Sequence, residues 1–343
     1  MRRRLYPYNL DFVQNAATGL EPITVPLQQD RYQIGLGITN RCNFDCPICY
    51  YHSAAGRDDS CDMPLAFLRR ILEPLPRLAG IIIGLEGEPL LHPEFVKILD
   101  LCASHAKRIV LITNGSLVTS EISLEVARLP SKFVFLSIDA ADAVLYEQLR
   151  SGGNFFKFLR NAEDLARDSP CLLHATVFKQ NLESLIQLPG LAAALGMNTV
   201  SFQLLRVHPG SVARGIQPAR LTELKAWLSK VLEKALTHNV AVVLDRFFGG
   251  PAMQEHLRFL KQAFPFLYLQ EYRQGECAHA DNLAGIHADG SLCPCAGDFE
   301  PVFMQNYAFE SIFNHPYLQA LRALHRAGRI SEPCSICMNM QQR

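Results

Sequence analysis

The run Cys42-Asn43-Phe44-Asp45-Cys46-Pro47-Ile48-Cys49 sets three thiols in one short stretch, with three residues and then two between them. Such spacing lets one loop fold its thiolates around a single soft metal centre, and iron in a cluster is held by cysteine sulfur, normally four to a cluster. This loop offers three. An iron left without a protein thiolate takes an external ligand, so the pattern points to a cluster with one open position, a reactive centre and not a purely structural one.

Outward from this run, between about residues 31 and 205, short apolar β-branched stretches alternate with longer helical patterns, the signature of repeated parallel βα units. Strands are expected at 33–38, 80–85, 108–113, 133–139, 172–178 and 199–204, helices at 64–75, 93–104, 155–167 and 182–194, and beyond them a long amphipathic helix at about 218–238 and a short strand at 240–244. The expected fold class is α/β, a partial (β/α)6 TIM-like barrel or open parallel sheet, followed by a small cysteine-rich unit. The division expected along the chain is an N-terminal arm at 1–30, a core at 31–210, a helical linker at 211–269 and a cysteine-rich unit at 270–343. Ligands of such sheets gather at the carboxyl ends of the strands, and the cysteine loop begins at Thr39, directly after the first one.

Composition narrows the function classes. Of 343 residues, 49% are hydrophobic, and Lys+Arg 33 balances Asp+Glu 33, so no net charge draws the chain to nucleic acid or an anionic membrane. The apolar stretch 81–85 stops at Glu86, far short of the ~20 residues that span a bilayer. Arg2, Arg3 and Arg4 are followed by Tyr6, Pro7, Asn9, Asp11 and Gln14, where a signal peptide needs its apolar stretch, and a cytoplasmic protein is expected. Eleven cysteines, an odd number, argue against a complete disulfide framework and for metal ligation. Cys102 and Cys171 read as small buried hydrophobes.

The loop and its place after a strand resemble the radical S-adenosylmethionine (SAM) superfamily. The resemblance implies a SAM-binding [4Fe-4S] cluster on Cys42, Cys46 and Cys49, with the amino and carboxylate groups of SAM on the fourth iron. It implies reductive cleavage of SAM to a 5'-deoxyadenosyl radical that abstracts a substrate hydrogen atom, with a reducing donor such as flavodoxin or ferredoxin. Glu86-Gly87-Glu88-Pro89 resembles the family's Gly-Gly-Glu-Pro turn, whose acidic residue, here Glu88, receives the methionine ammonium; Glu86 departs from the glycine of that pattern. Gly87 keeps the close backbone approach. Thr113 and Asn114, then Ser137 and Asp139, end the third and fourth strands where the family places polar groups against ribose and methionine carboxylate. Arg150 resembles its carboxylate clamp, with an ordinary surface arginine as the alternative, and Gln203, at the end of the sixth strand, is a candidate to face the adenosine or the substrate, with a core-edge polar residue as the alternative. Strand-end residues satisfying their own backbone are the competing reading of these positions.

A second group, Cys277, Gly290, Cys295, Cys334 and Cys337, resembles the twitch form of the auxiliary extension related to the SPASM domain. The resemblance implies a second [4Fe-4S] cluster on Cys277, Cys295, Cys334 and Cys337. A zinc knuckle on the late cysteines competes with it. Cys293, two residues before Cys295, is a candidate hydrogen-atom donor or a filler. An auxiliary cluster favours a net oxidation or crosslink, for which a ribosomal precursor peptide is the expected substrate. The alternatives are a dehydrogenase or epimerase of an aminocyclitol or sugar intermediate and, from another class, a non-catalytic iron-sulfur or zinc protein.

Overall fold

A computed structural model describes residues 14, 17–25, 31–49, 60–205, 214–245, 248, 251–269, 277–293 and 301–329. Cys295, Cys334 and Cys337 lie outside the described residues, so their expected ligand role has no structural counterpart to report.

The strands are β1 (Gln33–Leu36), β2 (Gly80–Ile83), β3 (Ile109–Thr113), β4 (Lys132–Ser137), β5 (Cys171–Val177), β6 (Thr199–Leu204), β7 (Ala241–Leu244), β8 (Leu267–Leu269), β9 (Leu283–Ile286) and β10 (Leu292–Cys293). They form one sheet in the order β10-β9-β1-β2-β3-β4-β5-β6-β7-β8. Every pairing is parallel except β9 with β10. The α/β class and the open, partial-barrel sheet are as the alternation of apolar runs implies.

The sheet continues beyond the six strands expected of the core. The segment 211–269 supplies β7, where a short strand at 240–244 is expected, and β8, and β9 from the late segment pairs with β1, Gln33 opposite Leu283 and Leu36 opposite Ile286. Without β9, β1 would be an open edge beside the cysteine loop, its backbone N–H and C=O groups unpaired. The run Leu283-Ala284-Gly285-Ile286 is short and carries a glycine and an alanine, so its period of two is faint in the sequence.

One face of the sheet is sealed. Ile34, Leu36, Ile81, Ile83, Val134 and Leu136 are wholly buried and join Leu68, Ile71, Ile98 and Phe158 of the covering helices in a single core. The alternate residues Ile82, Ile112, Phe135, Ser137 and His174 are half-buried on the other face, and Gln203 is exposed. The period of two therefore separates a packing face from an accessible one.

Two boundaries depart from expectation for a reason that serves the site. β2 ends at Ile83 because Gly84 turns at φ +113, where a Cβ would sit 2.4 Å from the Ile112 carbonyl oxygen. The chain leaves the sheet there and carries 85–89 across the strand ends. The helix expected at 182–194 is instead two, Leu182–Leu185 and Leu188–Ala194, the second starting with Pro189 near its N-terminus, since a proline is tolerated in a first turn and not in a helix interior.

The described part of the N-terminal segment is fastened to the late one. Asn314 Oδ1 accepts from Val25 N–H at 2.8 Å, and Arg322, almost wholly buried on the helix Pro316–Arg326, donates to Ile23 O at 2.8 Å and to Ala280 O at 2.7 Å. Among the described residues no helix is long and apolar enough to cross a membrane.

Candidate active site

The cysteine loop leaves β1 and is held at its root. Arg41 makes a two-pronged pair with Asp62, Nε to Oδ1 at 3.0 Å and Nη2 to Oδ2 at 2.7 Å, and Nη2 also donates to Leu91 O at 2.8 Å. This fork fixes orientation as a single point charge does not. Further along, Asp45 N–H donates to Ser151 O at 2.8 Å, and Gly152, at φ +97, brings its Cα so near the loop that a Cβ would lie 2.9 Å from Asn43 O. The segment after Arg150 is thus moulded to the cysteine loop.

Cys42, Cys46 and Cys49 form no disulfide, Cys46 being buried and the other two half-buried. Burial raises the Cys42 thiol to about 11 and the Cys46 thiol to about 12. Three thiols gathered in one loop of a poorly solvated pocket suit a metal that supplies the positive charge and displaces their protons. Among the described residues no three His, Cys, Asp or Glu side chains converge on one ion-sized point. In a cluster each thiolate holds a different iron, so its sulfurs stand wider than the ligands of one ion. Three thiols on one loop, spaced as Cys42, Cys46 and Cys49 are, fit an iron-sulfur group with three protein ligands by donor type and spacing.

Glu88 faces this loop from the neighbouring turn. Gly87, at φ +64, presses against it so closely that a Cβ would stand 2.3 Å from Thr39 O and 2.6 Å from Arg41 O. Glu88 N–H donates to Arg41 O at 2.7 Å. Its carboxylate is buried and accepts from Thr113 Oγ1 at 2.7 Å and Leu90 N–H at 3.1 Å on Oε1, and from Asn114 N–H at 2.7 Å on Oε2. Burial raises its pKa, opposed by these hydrogen bonds from Asn114, Thr113 and Leu90. A carboxylate offers about four acceptor directions, and the three donors leave one on Oε2 for a cation. Asn114 also serves the loop, its Nδ2 lying 3.0 Å from Asn43 Oδ1 and 4.0 Å from Cys42 Sγ.

Asp139 and Arg150 form a second buried pair, Oδ2 to Nε at 2.7 Å, with Asp139 fully buried. Asp139 Oδ1 accepts from Thr176 N–H at 2.9 Å, so this carboxylate is committed to Arg150 and to β5. Burial works against the charge on Arg150, but Asp139 and Cys46 more than offset it and raise its pKa. Ser137 stands opposite His174 in register, and His174 Nδ1 lies 3.1 Å from Ser201 Oγ. Burial lowers His174 to about 4, so the imidazole is neutral at neutral pH. Gln203 Nε2 donates to Thr176 Oγ1 at 3.1 Å. These groups lie on the accessible sheet face.

The remaining expected residues lie elsewhere. Glu86 turns its carboxylate to the late strands, accepting from Ala288 N–H at 2.8 Å and lying 3.2 Å from His287 Nδ1. Burial disfavours the charge on His287, while hydrogen bonds with Cys293 and Glu86 raise it to about 10. Cys293 is buried at the end of β10, and Cys277 is half-buried, its N–H donating to Asp281 Oδ2 at 2.8 Å. Sequence reasoning missed His287, Asp62 and Tyr146. The Tyr146 hydroxyl, deeply buried, has no hydrogen-bond partner among the described residues, the kind of donor that a bound group satisfies. Only Arg41, next to Cys42, carried a usable signal.

Residues 36–189 match the family model described as Radical SAM superfamily. The match runs from the end of β1 past β5 and takes in the cysteine loop and the turn that bears Glu88, so this part of the chain is similar to that family. The chain is 25% identical over 203 residues to the mycofactocin maturase MftC of Mycolicibacterium smegmatis, covering 56% of this chain and 50% of that protein, so it spans about half that relative's length. It is 24% identical over 309 residues to the AdoMet-dependent heme synthase of Methanosarcina barkeri, covering 88% of this chain and 86% of the relative. The fold is shared with Streptococcus suis SuiB, solved bound to the precursor peptide SuiA, at a TM-score of 0.67 and 16% identity over 94% of this chain and 71% of that one.

Proposed function

We propose that this protein is a radical SAM enzyme that oxidises or crosslinks a peptide substrate. The observation that carries the chemistry is the meeting of three cysteines of one loop, none in a disulfide, with a buried Glu88 that accepts three hydrogen bonds. When bound, the cluster and SAM supply a 5'-deoxyadenosyl radical that takes a hydrogen atom from the substrate. Cys42, Cys46 and Cys49 hold the metal group, and Glu88 Oε2 receives the methionine ammonium. Gly87 lets the backbone approach, and Arg150, kept charged by Asp139, supplies positive charge beside Cys46. Ser137 and Gln203 line the accessible face, with Thr113 and Asn114 orienting Glu88. A reducing compartment suits the eight described cysteines, all free thiols.

The peptide reading is supported by the shared fold of the peptide-bound SuiB. Cys277, Cys295, Cys334 and Cys337 are proposed to hold the auxiliary cluster that takes an electron from the substrate radical. A small natural-product intermediate is the second reading, favoured by the match along nearly the whole chain to a heme synthase. Anaerobic reconstitution, iron and sulfide counts and deuterium transfer from labelled candidates into 5'-deoxyadenosine decide between substrates. About eight irons per chain, four in each cubane, support both clusters, whereas zinc without SAM turnover contradicts the enzyme. Replacing Cys334 and Cys337 is expected to leave SAM cleavage and remove product; unchanged product yield would overturn the auxiliary site.

A further inference from the structure

Glu86 stands where the resembled turn has glycine, and the fold around it has been cleared to admit a side chain. A Cβ on Gly37 would lie 2.6 Å from Glu86 Cγ, and one on Gly285 would lie 3.1 Å from Leu85 Cδ2 and 3.2 Å from Cys293 Cβ. Gly35 and Gly285 are register partners, as are Gly285 and Cys293. Three glycines on β1, its exit and β9 thus leave a bare strip on which Leu85 and Glu86 lie. At its far side Glu86 meets Ala288 N–H at 2.8 Å and His287 Nδ1 at 3.2 Å, both side chains almost wholly buried, and His287 bonds in turn with Cys293.

We propose that Glu86 and His287 are positioning residues through which the turn 84–88 clasps the β9–β10 hairpin and fixes Cys293 relative to Glu88. A buried carboxylate is costly until it is paired and hydrogen-bonded. Glu86 gains both partners only when the hairpin is seated, so the turn that bears Glu88 and the hairpin order each other. Its functional meaning rests on the cofactor-site reading of Glu88; its geometry does not.

The test uses the reconstituted holoenzyme and its near-isosteric variants Glu86→Gln and His287→Gln, with iodoacetamide labelling of Cys293 located by peptide mapping and SAM affinity measured alongside. Each single variant is expected to label Cys293 about tenfold faster or more, because the hairpin opens locally, with SAM affinity held within about twofold. The double variant is expected to label no faster than His287→Gln alone, since Glu86 reaches Cys293 through His287, which also bonds that thiol. Unchanged protection of Cys293, additive effects, or an about tenfold loss of SAM affinity with protection intact would overturn the clasp, the last by making Glu86 a cofactor contact. The two substitutions attack from opposite sides, so failure of one to fold leaves the other decisive. If the wild type bound no SAM at all, the cofactor reading would fail while the labelling result still judged the clasp.

Discussion

Two carboxylates two residues apart in one turn point to opposite regions of the molecule. Glu88 is met by the end of β3, through the Thr113 hydroxyl and the Asn114 N–H, whereas Glu86 is met by residues two hundred positions later. The first region is assembled from neighbouring strand ends, each with its own turn chemistry. The second is assembled across the whole chain, on a strip of glycine. The contrast teaches that one turn can present a carboxylate to neighbouring strand ends on one side and to the far end of the chain on the other.

The sharpest way to break this division is at the thiols. Replacing Cys42, Cys46 or Cys49 with alanine is expected to abolish SAM cleavage outright, measured as 5'-deoxyadenosine, because no other described residues replace a lost ligand. Next in size, Arg150→Met leaves Asp139 buried without its partner and is expected to lower stability by about 3–5 kcal/mol in urea unfolding. A loss below about 1 kcal/mol would show that Asp139 is held by β5 alone. Thr113→Val removes the hydroxyl that donates to the Glu88 carboxylate and accepts from Gly115 N–H, and is expected to weaken SAM binding, read as a larger dissociation constant by calorimetry. Protection of Cys293 should not change in this variant, which sharpens the separation of the two sides.

The smallest effect expected is on pH dependence. His174 has a folded pKa lowered by burial to about 4 from an unfolded value near 6.5. Between these values the unfolded chain binds the extra proton, so stability rises with pH from about 4 to about 6.5 and is flat above. His174→Gln is expected to flatten that window in thermal melts; an unchanged slope would mean another group carries it.

The sequence made the first region legible because its signals are local. A run of spaced thiols after an apolar strand, an acidic residue beside Gly87, and polar residues closing β3 and β4 are all readable without knowing what lies across the sheet. The parallel α/β order was equally legible through alternation, although the ends of β1 and β2 were drawn two residues long. The turn at Gly84 depends on the Ile112 carbonyl, which no local pattern reveals. Sheet strands β9 and β10 stayed hidden for the same reason: a short run with Ala284 and Gly285 becomes a strand only when β1 offers its free edge. Glu86 was expected beside the cofactor from its place in the turn; its partners Ala288 and His287 are set by topology, not by spacing.

One assay bears most directly on the three-thiol loop and Glu88 as a SAM-cleaving site. Anaerobically reconstituted, dithionite-reduced protein is given SAM, and 5'-deoxyadenosine and methionine are quantified beside the Cys46→Ala variant. The expected result is equal amounts of both from the wild type and neither from the variant. A fully iron-loaded wild type that leaves SAM intact, or a variant that cleaves it as well as the wild type, would contradict the account.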